Sequence, residues 1–250
     1  METEDITVER EVVEPLVASA CARCRFPDLA LADPIAERVV RGLEVPESVT
    51  WSPTLRATAT RELALDAVVR GFIARSPGGL VISLYGGLST RFFRTDDGLV
   101  HTIEIDAAAT CALKRDLFPK SERLVLTEGC APTCLGFVRH LRELRGLPVL
   151  VVSGAPFTRA SAPAIERFVT ALSLHAPVGA EWVFPLDDAR GLFSTERGCL
   201  VLTAEGTPPI AFPRARFTST AAANPPCVES VLARAFKRPP APLVAHVRFA

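Results

Sequence analysis

The residues best suited to chemistry sit where an apolar run, Leu80 to Leu84, breaks into Tyr85, Gly86 and Gly87. Two glycines at a strand end let a ligand come close to the backbone. A second strand-like run, His101 to Asp106, ends in acid, and a carboxylate at Glu104 or Asp106 can accept both hydroxyls of a ribose. Together the two segments predict a nucleotide-cofactor site in the crevice outside the carboxyl ends of the strands. Tyr85, the one tyrosine of the chain, stands where such a loop usually has glycine. The plainer alternative is structural: the glycines make a tight strand-to-helix turn and Asp106 caps the helix that begins at Ala107.

Cysteine spacing offers other chemistry. Cys21 and Cys24 form C-x-x-C, and Cys130 and Cys134 form C-x-x-x-C just after the third strand-like run. Four thiolates could hold zinc, but the pairs lie on separate elements and cysteine also packs as a small hydrophobe, so no metal is the first expectation. Cys111, Cys199 and Cys227 read as packing residues. His101, His140, His175 and His246 form no ligand-like grouping, with His140 and His175 expected on the surface near helix ends. There is no G-x-S-x-G elbow and no G-x-x-x-x-G-K-[ST] loop, which sets aside hydrolase and phosphate-loop readings; a Rossmann dehydrogenase stays conceivable, although Tyr85 to Arg91 does not supply G-x-G-x-x-G.

These residues must be positioned by an alternating scaffold. Strands are predicted at Leu80 to Leu84, Val100 to Asp106, Arg123 to Thr127, Val149 to Ser153 and Trp182 to Leu186, interleaved with helices near Ala109 to Leu117, Cys134 to Arg145 and Ala162 to His175. Near-continuous apolar strands alternating with helices predict an α/β fold, a mostly parallel sheet with helices on both faces. Upstream, residues 12–43 read as two helices interrupted by Phe26 to Asp28 and by Asp33-Pro34, an N-cap followed by proline at the first helical position. Pro46 to Pro53 reads as a linker and Thr54 to Ser76 as a long amphipathic helix. The expected organisation is a helical lid over 1–53 and an α/β core over 54–250, all one structural domain. Cys199 to Thr203 and Pro209 to Phe212 are expected strands and Ser230 to Phe236 a short helix. The proline density of this tail predicts edge strands.

With 250 residues, 48% of them hydrophobic, the chain can bury one substantial core. Its 28 basic and 28 acidic residues cancel, so no overall field draws a nucleic acid or an anionic membrane. The acidic start lacks the pattern of a signal peptide and no apolar run is long enough to span a bilayer, which gives a cytoplasmic expectation; seven cysteines then read as reduced thiols. The expected partner is a small-molecule substrate, with room for a homo-oligomer or a pathway enzyme.

Five segments in order, Ala32 to Leu43, Arg61 to Asp66, Leu80 to Arg94, Ile103 to Pro119 and Leu150 to Phe157, resemble the leucine carboxyl methyltransferase family, specifically its polyketide O-methyltransferase-like branch. The resemblance spans roughly the first three quarters of the chain. It implies a class I methyltransferase-like (Rossmann-like) fold, S-adenosylmethionine as cofactor and O-methylation of a small metabolite in specialised (polyketide or peptide) metabolism. By that analogy Arg61 pairs with the methionine carboxylate, Tyr85, Gly86 and Gly87 form the cofactor loop with Gly87 against the cofactor's backbone, and Asp106 or Glu104 holds the ribose. Glu128 is then the adenine-side acid.

The chain departs from the family at four positions. Tyr85 replaces the loop's first glycine and Ser89 its aspartate; Ser153 stands where glutamate is usual, and Thr158 where a tyrosine is expected near the reacting centre. The catalytic residues are left unassigned. The alternative function is a methyltransferase fold that has lost methyl transfer and serves as another small-molecule catalyst, a thiolate-metal protein or a non-catalytic partner.

Overall fold

The computed structural model describes residues 10–129, 136–138, 141, 144, 146–154, 160–185, 193–196, 199–202, 210–222 and 243–250. The chain opens with α1 (Arg10–Arg25), a 3-10 turn at Pro27–Leu29, α2 (Pro34–Arg41) and a short α3 (Glu47–Thr50), which falls inside the expected linker. Asp33 caps α2 as its sequence predicts: its carboxylate accepts from Ala36 N at 2.9 Å and Pro34 takes the first helical position. Then come α4 (Leu55–Arg75), β1 (Leu80–Leu84), α5 (Arg91–Thr95), β2 (His101–Asp106), α6 (Ala108–Leu117), β3 (Leu124–Glu128), β4 (Val149–Ser153), α7 (Ala162–His175) and β5 (Glu181–Pro185). The tail adds β6 (Phe193–Glu196), β7 (Cys199–Leu202), β8 (Ile210–Ala222) and β9 (Leu243–Phe249).

One nine-stranded sheet has the order β3-β2-β1-β4-β5-β9-β8-β7-β6. From β3 to β5 every neighbouring pair is parallel; from β5 onward every pair is antiparallel. The order reverses between β1 and β4, and that reversal opens the crevice in which ligands of doubly wound sheets bind.

Strand alternation sorts the core. Leu80, Ile82, Leu84, Val149, Val151, Trp182 and Phe184 face α7 through Ile165, Phe168, Val169 and Leu172. Val81, Leu150, Val152 and Val183 face the other way and meet Leu65, Val69, Phe72 and Ile73 of α4. Both faces of β1, β4 and β5 are covered, which is why these strands are buried throughout and, Ser83, Ser153 and Glu181 aside, apolar. The first half of α4 belongs to a third cluster, where Leu55 and Ala59 pack with Leu16, Val17, Ala36, Val49 and Leu88. One continuous helix of about 30 Å thus ties the helical layer to the sheet.

The edge-strand expectation for the tail needs correction: β7 and β8 both lie inside the sheet, β9, a strand not among those expected, lies between β5 and β8, and β8 runs on well past Phe212. Pro213 is tolerated there because the β7–β8 ladder shifts register: Leu200 pairs with Phe212 and Cys199 with Arg216, leaving the proline, which has no N–H to donate, in the gap. The expected helix at Ser230 to Phe236 lies outside the described residues, as does most of the one at Cys134 to Arg145. Among the described residues no helix is long and apolar enough to cross a membrane.

Candidate functional site

The glycine turn sits at the reversal of strand order. Tyr85 N donates to Ile105 O of β2 (2.8 Å) and Gly154 N donates to Leu84 O (2.8 Å), so the loop is held from both neighbouring strands. Tyr85 takes φ +50° and Gly87 φ +56°, both left-handed, and only the second residue is a glycine. A left-handed conformation costs a side-chain-bearing residue about 1–2 kcal/mol. Gly154 must be glycine, because a Cβ there would lie 2.0 Å from Tyr85 O.

Asp106 closes onto the loop from the end of β2. Its carboxylate accepts from Gly87 N at 2.9 Å and from Ala107 N at 2.8 Å. The capping reading needs correction: α6 begins at Ala108 with Ala107 at its N-cap and no side chain capping it, so Asp106 binds the glycine turn and the preceding Ala107 N without capping the helix. Burial pushes its pKa up, against the opposing pull of Lys114 and of the two backbone donors.

The Tyr85 ring runs outward from the end of β1. Its hydroxyl donates to Gly129 O, just past β3, at 2.7 Å. A residue anchored at β1 and hydrogen-bonded beyond β3 crosses the carboxyl end of β2, which lies between them. The phenol therefore spans the place where the resemblance sets the nucleoside. Tyr85 and Gly86 are both half-buried and are the open part of the turn.

The other predicted site residues are distributed differently. A Cβ on Gly87 would lie 2.7 Å from Val12 O, and Leu88 N donates to that same carbonyl at 2.7 Å; the first turn of α1 thus occupies the position given to the cofactor's backbone. Glu104 is buried and bonded to Lys114 Nζ at 2.5 Å, away from the crevice mouth. Ser153 is fully buried and accepts from Trp182 Nε1 at 3.0 Å. Glu128, at the end of β3, is exposed and 3.7 Å from Arg115. Arg61 is half-buried on α4 and donates to Thr58 Oγ1 at 3.1 Å; Thr58 in turn donates to Glu14 of α1 at 2.9 Å. Thr158 lies outside the described residues.

Of the cysteines offered as metal ligands, Cys130 and Cys134 also lie outside them. Cys21 is half-buried with its thiol pKa raised by burial, and Cys24 is exposed. Cys111 is buried under Thr127 O, in keeping with a packing role. Among the described residues no group of three or more His, Cys, Asp or Glu side chains is placed so that it could hold a metal ion.

Sequence reasoning did not anticipate the charged cluster beneath the loop. Asp33, Glu62, Asp66 and Arg91 are buried, and the side chain of Arg94, 4% exposed, joins them in one network. Arg94 donates to Asp66 (2.6 and 2.9 Å), Glu62 (2.8 Å), Asp33 (2.9 Å) and Thr90 (2.6 Å), while Arg91 reaches Glu62 at 2.7 Å. Burial alone would raise the Glu62 pKa; Arg91, Arg94 and the Ser89 hydroxyl outweigh it and hold the acid at about 2. The same carboxylates raise the pKa of Arg94 against its burial. The spacing of Glu62 with Asp66 and of Thr90 with Arg94, one helical turn each, was the available signal. His246 was likewise missed: its Nε2 lies 2.6 Å from Glu181 Oε2, beside Arg75, at the opposite end of the sheet from the crevice. His175 is half-buried with a buried Nδ1, not a plain surface residue.

The parallel sheet, its antiparallel far side and the glycine turn beside Asp106 define the class I methyltransferase-like fold. Among solved structures the chain is similar to an inferred methyltransferase of Thermobifida fusca, at 10% identity, covering 95% of this chain and 94% of that one with a TM-score of 0.52. It is also similar to an inferred O-methyltransferase of Klebsiella pneumoniae (16% identity, 96% and 98% covered, TM-score 0.48). A third is the Burkholderia thailandensis 1,6-didemethyltoxoflavin-N1-methyltransferase bound to 1,6-didemethyltoxoflavin and S-adenosylhomocysteine (11% identity, 88% and 92% covered, TM-score 0.45). At these identities the likeness concerns the fold alone. No family model and no curated protein matches the sequence.

Proposed function

We propose that the chain is an S-adenosylmethionine-dependent O-methyltransferase of the leucine carboxyl methyltransferase type, acting on a small metabolite of specialised metabolism in the cytoplasm. The observation that carries this reading is the juxtaposition of Gly87 N and the Asp106 carboxylate, 2.9 Å apart, at the reversal of strand order. An acid at the end of β2 beside a left-handed glycine turn suits a ligand with a ribose at one end and an amino-acid group at the other. When bound, the cofactor supplies an electrophilic methyl group on a sulfonium.

In this reading Asp106 accepts from ribose hydroxyls with the lone pairs its two backbone donors leave over, and Gly86 admits the ligand to the open part of the loop. Glu128 stands on the adenine side. Arg61, on α4 facing α1, offers a guanidinium to the amino-acid carboxylate. Residues 1–53 serve as the lid that keeps water from the reacting atoms, and with an acidic acceptor positioning alone suffices, without a strong base. The test is calorimetric titration with S-adenosylmethionine and S-adenosylhomocysteine. Binding that Asp106→Asn weakens at least tenfold supports the reading, and absence of heat at millimolar ligand sinks it.

A second reading, that the fold persists without methyl transfer, is favoured by one observation. Ser153 takes the usual glutamate's place, and its hydroxyl is bonded to the buried Trp182 indole. Tight cofactor binding together with methylation of any acceptor in a panel of phenols and carboxylic acids would remove it.

A further inference from the structure

The phenol of Tyr85 lies across the site just described, and three observations bear on what it does there. Its backbone holds φ +50°, a conformation glycine would adopt at no steric cost. Its hydroxyl is latched to Gly129 O at 2.7 Å. Its ring edge lies close against Gly129, whose added Cβ would stand 3.6 Å from Tyr85 Cε2. Tyr85 is half-buried, and a hydrogen bond to a backbone carbonyl fastens the outer end of its ring.

Strain at an open crevice, where glycine would relieve it, points to a role for the Tyr85 side chain. The bar covers the end of β2, and Asp106 is the last residue of that strand. A nucleoside whose ribose reaches Asp106 and whose base extends toward β3 must pass through the volume the ring fills. The amino-acid end of such a ligand, over Gly86, does not.

We propose that Tyr85 is a swinging bar over the adenosine end of the site: the phenol closes the crevice in the free protein and leaves Gly129 O when a nucleoside enters. This rests on the cofactor reading above. Entry breaks the hydroxyl latch and re-exposes Gly129 O, so the free protein binds more weakly than the same site without the ring. The bar acts on affinity for the nucleoside and takes no part in the transfer.

Because the chain has one tyrosine, ring-labelled tyrosine gives a spectrum in which every aromatic tyrosine signal belongs to Tyr85. The experiment follows those signals in the full-length protein during titration with S-adenosylhomocysteine, alongside calorimetry of wild type, Tyr85→Phe and Tyr85→Gly. The expected result is a shift of the ring signals that saturates with ligand, affinity about tenfold tighter in Tyr85→Gly, and about threefold tighter in Tyr85→Phe, which keeps the ring but loses the latch. Glycine suits the left-handed backbone, and the phenylalanine variant carries the test if the glycine variant melts early. Ring signals unmoved at saturation, or variants that bind no better than wild type, overturn the bar and leave the cofactor reading standing. No binding by any of the three proteins removes the cofactor reading and the bar with it.

Discussion

The stretch from Leu84 to Arg91 is continuous in sequence, yet its two halves have opposite physical characters. Tyr85 and Gly86 are half-buried and held by backbone bonds to neighbouring strand ends and one phenol latch. Leu88 to Arg91 are fully enclosed: Leu88 packs under α1, Ser89 donates to Glu62, Thr90 donates to Asp33, and Arg91 pairs with Glu62. The first half faces the crevice, whereas the second cannot move without uncovering charges. One motif is therefore both an opening onto the crevice and the bolt that fastens the helical layer to the sheet.

The contrast explains why Ser89 departs from the family pattern without disturbing the fold. Its hydroxyl donates to Glu62 Oε2 at 2.5 Å, in a cluster that already holds three carboxylates, Asp33, Glu62 and Asp66, against two guanidinium groups. An aspartate at 89 would set one acceptor against another. The change belongs to the bolted half and says little about cofactor chemistry.

Arg94→Ala strikes the enclosed half hardest. Removing one partner from a buried ion network leaves the others uncompensated, and we expect a loss of about 3–5 kcal/mol in urea unfolding. If the loss is under 1 kcal/mol, the cluster is not the fastening described. Gly87→Ala comes next, combining a left-handed residue with a Cβ 2.7 Å from Val12 O; about 2–3 kcal/mol should be lost, with greater protease sensitivity of α1. Ser89→Ala should cost about 1–2 kcal/mol through the lost donor to Glu62, and Ser89→Asp should cost more.

Acid titration reads the same half. Glu62 is depressed in the folded state, so its contribution is fully present above its ordinary pKa of 4.5 and is lost as pH falls toward about 2. Glu62→Gln should flatten the stability curve across that window, and an unchanged acid limb would show that other groups govern it. The smallest effect belongs to the open half: Tyr85→Gly exchanges one hydrogen bond for relief of backbone strain, so its stability should stay within about 1 kcal/mol of wild type.

Much of the fold was legible because it depends on local pattern. The five parallel strands and α4, α6 and α7 follow from apolar runs and helical spacing, and Asp33-Pro34 announced the start of α2 through capping chemistry alone. β9 was not legible, since nothing in Leu243 to Phe249 says that it inserts between β5 and β8 rather than extending the edge. The site was half legible. Glycines after β1 and acid at the end of β2 are sequence facts, but strand pleat cannot say which acid meets the loop, because Glu104 and Asp106 share a face; α6 supplies Lys114 to the first, and the second accepts from Gly87 N.

Periodicity and covalent order are enough to set the alternation of elements, the strand-end placement of Tyr85, Gly86, Gly87 and Asp106, and the presence of an unusual residue in the turn. What those residues touch is a matter of the folded chain. The Gly129 carbonyl under the phenol, the Val12 carbonyl against Gly87, the Trp182 indole on Ser153 and the charges gathered around Arg94 come from segments far apart in the chain. Their meeting is set by packing of strands and helices across the sheet, which no local pattern encodes.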